Sequence, residues 1–271
     1  MELKTTFAQR AAENLSEELS RVQREVRAKP SDENLRTYLF QLLALQGNWR
    51  RALEQLQVCG QLSAKALPMA QMYREAIRCE LLRADVFAGK RAPQILGEPP
   101  KWIGRLVQAL ERLGAGDVDA AATLRQAAFD DAPPSAGSIN GDKPFEWIAD
   151  GDSRLGPVCE CIVNGQYYWV PFMRIRSLRI DAPVDLRDLV WAAGQLTLAN
   201  GGSQIALIPA RYPGSESAGD DALKLSRRTE WKDVGSDTYL GLGQKMLATD
   251  DAELSLLDIR SIELIDASAQ A

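Results

Sequence analysis

The chain has 271 residues, 45% of them hydrophobic and 25% charged, with no histidine and a net charge of −5 at pH 7. That balance fits a globular protein of one large domain or two ordinary ones, and no apolar run reaches the roughly 18 residues needed to cross a bilayer. The missing histidine excludes Ser-His and Cys-His nucleophile pairs and removes the commonest general base and metal ligand.

The first residues, MELKTTFAQRAAENL, lack the apolar core and small-residue cleavage site of a secretory signal, so a cytoplasmic protein is expected. Leu15, Leu19, Val22 and Val26 then recur at helical spacing. Pro30 ends that helix, and Ser31 is placed to cap the next, which carries Leu35, Leu39, Leu42 and Leu43 and stops at Gly47. A third helix begins near Asn48 with Trp49, Ala52, Leu53 and Leu56, and a fourth covers about 65–88 with Met69, Met72, Tyr73, Ile77 and Leu81 on one side. After a Gly/Pro-rich break (89-GKRAPQILGEPP-100), Pro99 and Pro100 open a fifth helix through Trp102, Leu106 and Leu110, and a sixth spans about 117–129.

Within 35-LRTYLFQLLALQGNWRRALEQLQ-57, a glycine lies between two apolar helices, an aromatic follows two residues later, and an alanine three after that. This is the layout of a tetratricopeptide (TPR) helix–turn–helix: the glycine permits the turn, Trp49 fills the interhelical wedge, and Ala52 lets the backbones approach. A degenerate unit precedes it at residues 8–30, and no clean 34-residue repeat follows. A generic antiparallel helical bundle is the alternative.

From about residue 144 the period changes to that of strands. Asn164-Gly165 between two apolar, aromatic-rich runs signals a hairpin. Ile175, Leu178 and Ile180 mark another strand, 184–192 a short helix or turn, and 195–199 and 203–209 a second hairpin around Asn200-Gly201-Gly202. Residues 213–221 are expected as a surface loop, and 241–248 and 254–265 as the last strands. The expected class is α+β: an all-helical TPR-like domain over 1–131, a linker over 132–144, and a smaller, mostly antiparallel domain over 145–271 forming a small barrel or rolled sheet.

Charge is uneven. Residues 1–140 carry 19 Lys+Arg against 17 Asp+Glu, and residues 141–271 carry 13 against 20. Neither half has the basic stripe of a nucleic-acid binder. Cys59, Cys79, Cys159 and Cys161 form no CxxC pair, and free thiols packed as small hydrophobes are expected.

The run Asp150-Gly-Asp152-Ser-Arg154 invites a metal reading through paired carboxylates, but the other oxygen ligands of a calcium loop are missing. A structural ion pair of Arg154 with Asp150 or Asp152 fits better. Gly241-Leu-Gly243-Gln lacks the third glycine of a dinucleotide loop, and Lys245 is followed by Met246 rather than the Ser or Thr of a P-loop. No metal or cofactor is expected. For a partner, the helical half offers Leu39, Leu43, Met69, Met72 and Tyr73 as candidate groove residues for an amphipathic helix.

Several blocks together resemble one family. The runs 36-RTYLFQLLALQGNWRRALEQL-56, 69-MAQMYREAIRCE-80, 145-FEWIADGDSRLGPVCECIVNGQYYWVPF-172, 207-LIPARYPGSE-216, 229-TEW-231 and 242-LGQKMLATD-250 are similar to the ImpE/TagJ family of type VI secretion accessory proteins. One departure is Gly151, where the family commonly has alanine. The resemblance implies a helical repeat-like part followed by an α+β part, and no catalytic activity. It also implies association with the N-terminal helix of the small sheath subunit, TssB, and with the sheath-recycling ATPase ClpV. The alternatives are a metal-dependent hydrolase using Asp150, Asp152 and Glu160, or a repeat scaffold for an unrelated partner.

Overall fold

A computed structural model describes residues 14–265. The start of the degenerate repeat unit, residues 8–13, lies outside the described residues, as do the first 13 residues of the stretch judged not to be a signal.

The helices follow their sequence signals. Helix α1 (Leu15–Ala28) is capped by Asn14, whose side chain accepts the Glu17 N–H. Helix α2 (Glu33–Leu45) is capped by Asp32 rather than Ser31. A tight turn at Gly47, with φ +64°, reverses the chain into α3 (Trp49–Leu62). Few side chains tolerate that left-handed conformation. Then come α4 (Leu67–Phe87), α5 (Lys101–Gly114) and α6 (Val118–Asp131). None of the described helices is long and apolar enough to cross a membrane.

Helix α2 is buried almost all round, from Tyr38 through Leu45. Helices α1 and α3 flank it, and a short 3-10 turn at Leu186–Leu189 packs on it as well, with the Leu186 N–H donating to Gln41 Oε1 at 3.1 Å. Ala52 is fully buried, as a close helix pair requires. Trp49 does more than fill an interhelical wedge: its ring lies 5.9 Å from Trp191 of the β half, inside an aromatic group with Tyr73 and Phe40.

Among the described residues, nine strands form one sheet. They are β1 (Gln94–Ile95), β2 (Gly137–Ile139), β3 (Lys143–Phe145), β5 (Val158–Val163), β6 (Gln166–Pro171), β7 (Ile175–Ile180), β8 (Trp191–Leu198), β9 (Ser203–Pro209) and β14 (Ser261–Leu264). Their order is β1-β6-β5-β9-β8-β7-β14-β2-β3. All neighbours are antiparallel except β1, which leaves the α4–α5 connection to pair parallel with β6. Two smaller β units stand beside this sheet. One is a three-stranded sheet of β4 (Ile148–Asp150), β12 (Met246–Thr249) and β13 (Glu253–Ser255). The other is a ribbon of β10 (Thr229–Asp233) and β11 (Tyr239–Gly243). The class is α+β.

Three boundaries differ from the sequence expectation. Residues 137–139, inside the expected linker, and 143–145, across its end at 144, are strands of the large sheet. Strand β8 begins at Trp191, four residues early, because Trp191 and Ala192 find partners in Pro209 and Ile208. The expected strand over 241–248 is two strands, broken at Gln244-Lys245, and the 213–221 loop hides a fully buried Ser215.

Strand β5 shows how the sheet serves two cores. Every residue of Val158-Cys-Glu-Cys-Ile-Val163 is buried. Val158 and Ile162 join the core shared with the helices. Cys159, Cys161 and Val163 point the other way, into a second core that the curling sheet closes with Ile139, Ile208 and Ile262. The alternation is that of any strand, and both cysteines are free. It also aims Glu160 at the helices.

Candidate functional site: an aromatic groove above a buried ion network

Glu160 is a carboxylate in the middle of a fully buried strand, and such a charge requires partners. Arg83, from α4, provides a two-pronged one: Nε donates to Oε1 at 2.7 Å and Nη2 to Oε2 at 2.9 Å. Lys245, from the break between β11 and β12, donates to Glu160 Oε2 at 2.7 Å and to Asp150 Oδ2 at 2.7 Å. The Tyr212 hydroxyl donates to Asp150 Oδ1 at 3.0 Å and accepts the Met246 N–H. Two cations and two carboxylates thus meet with essentially no solvent contact, and a third carboxylate, Glu80, reaches Arg83 Nη1 at 3.4 Å from the edge of the cluster.

The shares are unequal. Burial opposes ionisation of Glu160, but Arg83 and Lys245 outweigh it and hold the carboxyl well below the usual range. Asp150 is paired with one cation, Lys245, and burial pushes it up to about 6. Burial likewise disfavours the Lys245 charge, and its two carboxylates more than restore it.

Asp152 belongs to a separate pair. Arg154 grips it with Nε at 2.8 Å and Nη2 at 2.5 Å, while the Arg154 and Gly241 N–H groups donate to the same carboxylate. The Arg154 guanidinium lies over the Phe87 ring at 4.7 Å. The segment 150–154 therefore ties three parts of the fold together: Asp150 to Lys245, Asp152 to β11, and Arg154 to the end of α4. Asp150, Asp152 and Glu160 each face a cationic side chain, and among the described residues no group of His, Cys, Asp or Glu converges to hold a metal. The hydrolase alternative lacks the free carboxylates it requires.

A further cation anchors the helices. Arg211 is buried and donates to the carbonyls of Ala44 and Leu45, at the end of α2, and of Lys224 in α7 (Asp221–Lys224). Burial lowers its pKa to about 10.

Above Asp150-Gly151-Asp152 lies an open groove of about 710 Å³, within the size range of binding clefts. Its walls come from different elements. Trp147, Ile148 and Ala149 lead into and along β4, Met246 and Ala248 lie on β12, Trp231 on β10, Tyr239 on β11, Phe129 on α6, and Pro133 and Pro134 follow that helix. Trp147 is 39% exposed, Trp231 39% and Tyr239 44%. Trp231 stacks obliquely on Tyr212 with ring centroids 5.5 Å apart. A Cβ at Gly151 would meet Trp231 Cη2 at 2.8 Å, so the glycine lets the indole lie down on the segment.

The candidate partner residues in the helices fall elsewhere. Leu39, Leu43 and Tyr73 are core residues, 3%, 0% and 5% exposed, because α2 is covered on every side and Tyr73 faces the Phe40–Trp191 group. They are not available to a partner. Met69 is half-buried against the same core, and only Met72 is exposed, beside another, smaller groove with Ile205. The groove tryptophans were not distinguishable from core tryptophans by residue type. The usable signal was the setting of Trp231 between Glu230 and Lys232, since charged residues on both sides place a strand at the surface. Lys245 and Arg83 had a signal too, in the demand of Glu160 for a cation.

The family model for the ImpE protein matches residues 142–263. The type VI secretion system accessory component TagJ of Pseudomonas aeruginosa is 52% identical over 252 residues, 93% of this chain and 88% of that one. The chain belongs to the ImpE/TagJ family. The fold is also similar to that of the X-ray crystal structure of protein VPA1032 from Vibrio parahaemolyticus, with a TM-score of 0.87 at 27% identity, covering 98% of this chain and 100% of the other. The ImpE match contains β4, β10, β11 and β12, so the β elements of the groove lie within it, whereas Phe129, Pro133 and Pro134 come from before it.

Proposed function

We propose that this ImpE/TagJ member is a non-catalytic, cytoplasmic adaptor of a bacterial type VI secretion system. It holds the N-terminal helix of a TssB-type sheath subunit in the Trp147–Trp231 groove and assists recycling of the sheath by a ClpV-type ATPase. The family membership supports the accessory role. One structural observation carries the docking part: three large aromatic side chains stand exposed around a single apolar groove on a rigid floor. An amphipathic helix laid there gains by burying its apolar face against preformed aromatics, which lose little side-chain freedom on binding. The ion network beneath acts as the support. Its charges are matched and inaccessible, which suits a scaffold and deprives a hydrolytic reaction of a free base.

The test is a fluorescence titration of a labelled TssB N-terminal peptide against the intact protein. Saturable binding, weakened about 10-fold or more by Trp231→Ala as expected for an aromatic anchor, is the expected result. Binding that Trp231→Ala and Trp147→Ala both leave unchanged refutes the groove assignment. No binding at all refutes the partner.

A further inference from the structure

The groove is apolar along its length, yet every charged residue in its lining is acidic: Asp150, Asp152 and Glu253. The first two are neutralised from below by Lys245 and Arg154. Glu253 is exposed and has no ion pair among the described residues. More unpaired acid stands on the rim. Glu146 precedes Trp147, Asp250 and Asp251 form the β12–β13 turn, and the Asp250 carboxylate accepts the Glu146 N–H at 2.8 Å, which gathers these groups on the Trp147 side. On the opposite wall, Asp233 shares the face of β10 with Trp231, two residues along.

Arg176 is exposed in a neighbouring cavity that shares Pro133, Pro134 and Ser135 with the groove, while the basic groups around Trp231 and Phe129 are turned away or occupied. Lys232 alternates to the far face of β10. Arg228 is held by Asp220 and Glu230, Arg105 by Asp131 beside Phe129, and Arg125 by Thr238 and the Ser236 and Asp237 carbonyls. Among the described residues, a peptide lying along Trp147 and Trp231 therefore meets carboxylates from the lining and its flanks, and the groove lining itself contributes no cation.

We infer that the groove selects an amphipathic helix whose apolar stripe is flanked by lysine or arginine, and that Glu253, Asp251 and Asp233 set its orientation. This rests on the reading of the groove as the docking site. The apolar stripe supplies most of the affinity through Trp231 and Trp147. The rim charges act through the field along the groove, raising the association rate of basic helices and rejecting acidic ones.

The experiment uses the intact protein and two labelled amphipathic peptides with the same apolar stripe, one flanked by lysine and one by glutamate. At low salt the lysine peptide is expected to bind about 10-fold or more tightly than the glutamate peptide, and the gap to shrink at about 0.5 M salt, where exposed charges are screened. The charge-reversed variant Glu253→Lys/Asp233→Lys, with its substitutions at exposed positions, is expected to narrow or invert the preference while retaining binding. Equal binding of both peptides, abolished by Trp231→Ala, overturns the charge selection and leaves the docking groove standing. Binding of the lysine peptide with undiminished affinity to both Trp231→Ala and Trp147→Ala places the binding elsewhere and overturns the inference. Binding of neither peptide overturns it together with the groove reading.

Discussion

Removing Arg83 tests whether the ion network under the groove is balanced as a unit. In Arg83→Met, an apolar chain of similar length replaces the guanidinium that closes on Glu160 at 2.7 and 2.9 Å and also donates to the Arg211 carbonyl at 3.0 Å. Two carboxylates, Glu160 and Asp150, are then left with one cation, Lys245, in a site with almost no solvent contact. Breaking a buried pair from one side costs about 3–5 kcal/mol, because an uncompensated charge stays behind. For a chain of this size that is a fall in Tm on the order of 10 °C. Glu160→Gln alone removes the shared carboxylate, leaving Arg83 with only the 3.4 Å contact to Glu80 and Lys245 with Asp150. The double variant Arg83→Met/Glu160→Gln restores one cation to one carboxylate. Urea unfolding of the four proteins should therefore give a double variant more stable than the two single losses predict, by roughly 1–3 kcal/mol. A single-variant loss below about 1 kcal/mol, or strict additivity, would refute the account of Glu160 as a charge held in place by both partners.

Three further outcomes follow from neighbouring residues. Arg211→Leu leaves the carbonyls of Leu45 and Lys224 without the guanidinium donor, while that of Ala44 keeps the Gly47 N–H; at about 1–3 kcal/mol for a buried unsatisfied group, a loss of at least roughly 2 kcal/mol is expected in denaturant unfolding. Gly151→Ala brings a Cβ to within 2.8 Å of the Trp231 ring edge, and since that indole is half-exposed it should swing aside, changing stability by no more than about 1 kcal/mol while increasing tryptophan quenching by acrylamide; an unchanged quenching curve counts against the stacked geometry. The pH profile has two parts of opposite sign. Asp150 is raised in the folded state from its ordinary 3.8 to about 6, so its contribution is fully present below pH 3.8 and lost as pH rises through 6. Glu160 is depressed below its ordinary 4.5, so its contribution is present above pH 4.5 and lost as pH falls through the lower folded value. Acidifying from pH 7 to 5 should favour the wild type relative to Asp150→Asn, and below pH 4.5 Glu160→Gln should lose stability less steeply than the wild type; parallel curves would contradict both assignments.

The helical half was largely legible because its signals are local. Caps, the Gly47 turn and the 3.6-residue recurrence of Leu and Val need only near neighbours, and they located α1 through α6 closely. The hairpin at Asn164-Gly165 was legible for the same reason, as its turn residues fix the register of β5 and β6. The choice of Leu39, Leu43 and Tyr73 as groove residues failed on a quantity that periodicity does not contain. An apolar stripe requires cover, but the stripe alone does not tell whether that cover is a partner or the 3-10 turn at 186–189 and Trp191 from 100 residues or more along the chain. The same limit separates Trp147 and Trp231 from the buried Trp169 and Trp191.

By itself, the sequence determined the α+β class, the order of helices before strands, the absence of histidine chemistry, the free cysteines, and, through its long matching blocks, the family. Each of these is set by composition or by residues within a few positions of one another. Only the tertiary structure decided that residues 137–139 and 143–145 belong to the large sheet, that Asp150 turns to Lys245 while Asp152 takes Arg154, and that Arg83 reaches across 77 residues to neutralise Glu160. It also decided that the exposed aromatics collect around one groove. Those outcomes depend on which distant charge or ring arrives at a buried position, and that is fixed by the packing of helices on the sheet rather than by any local pattern.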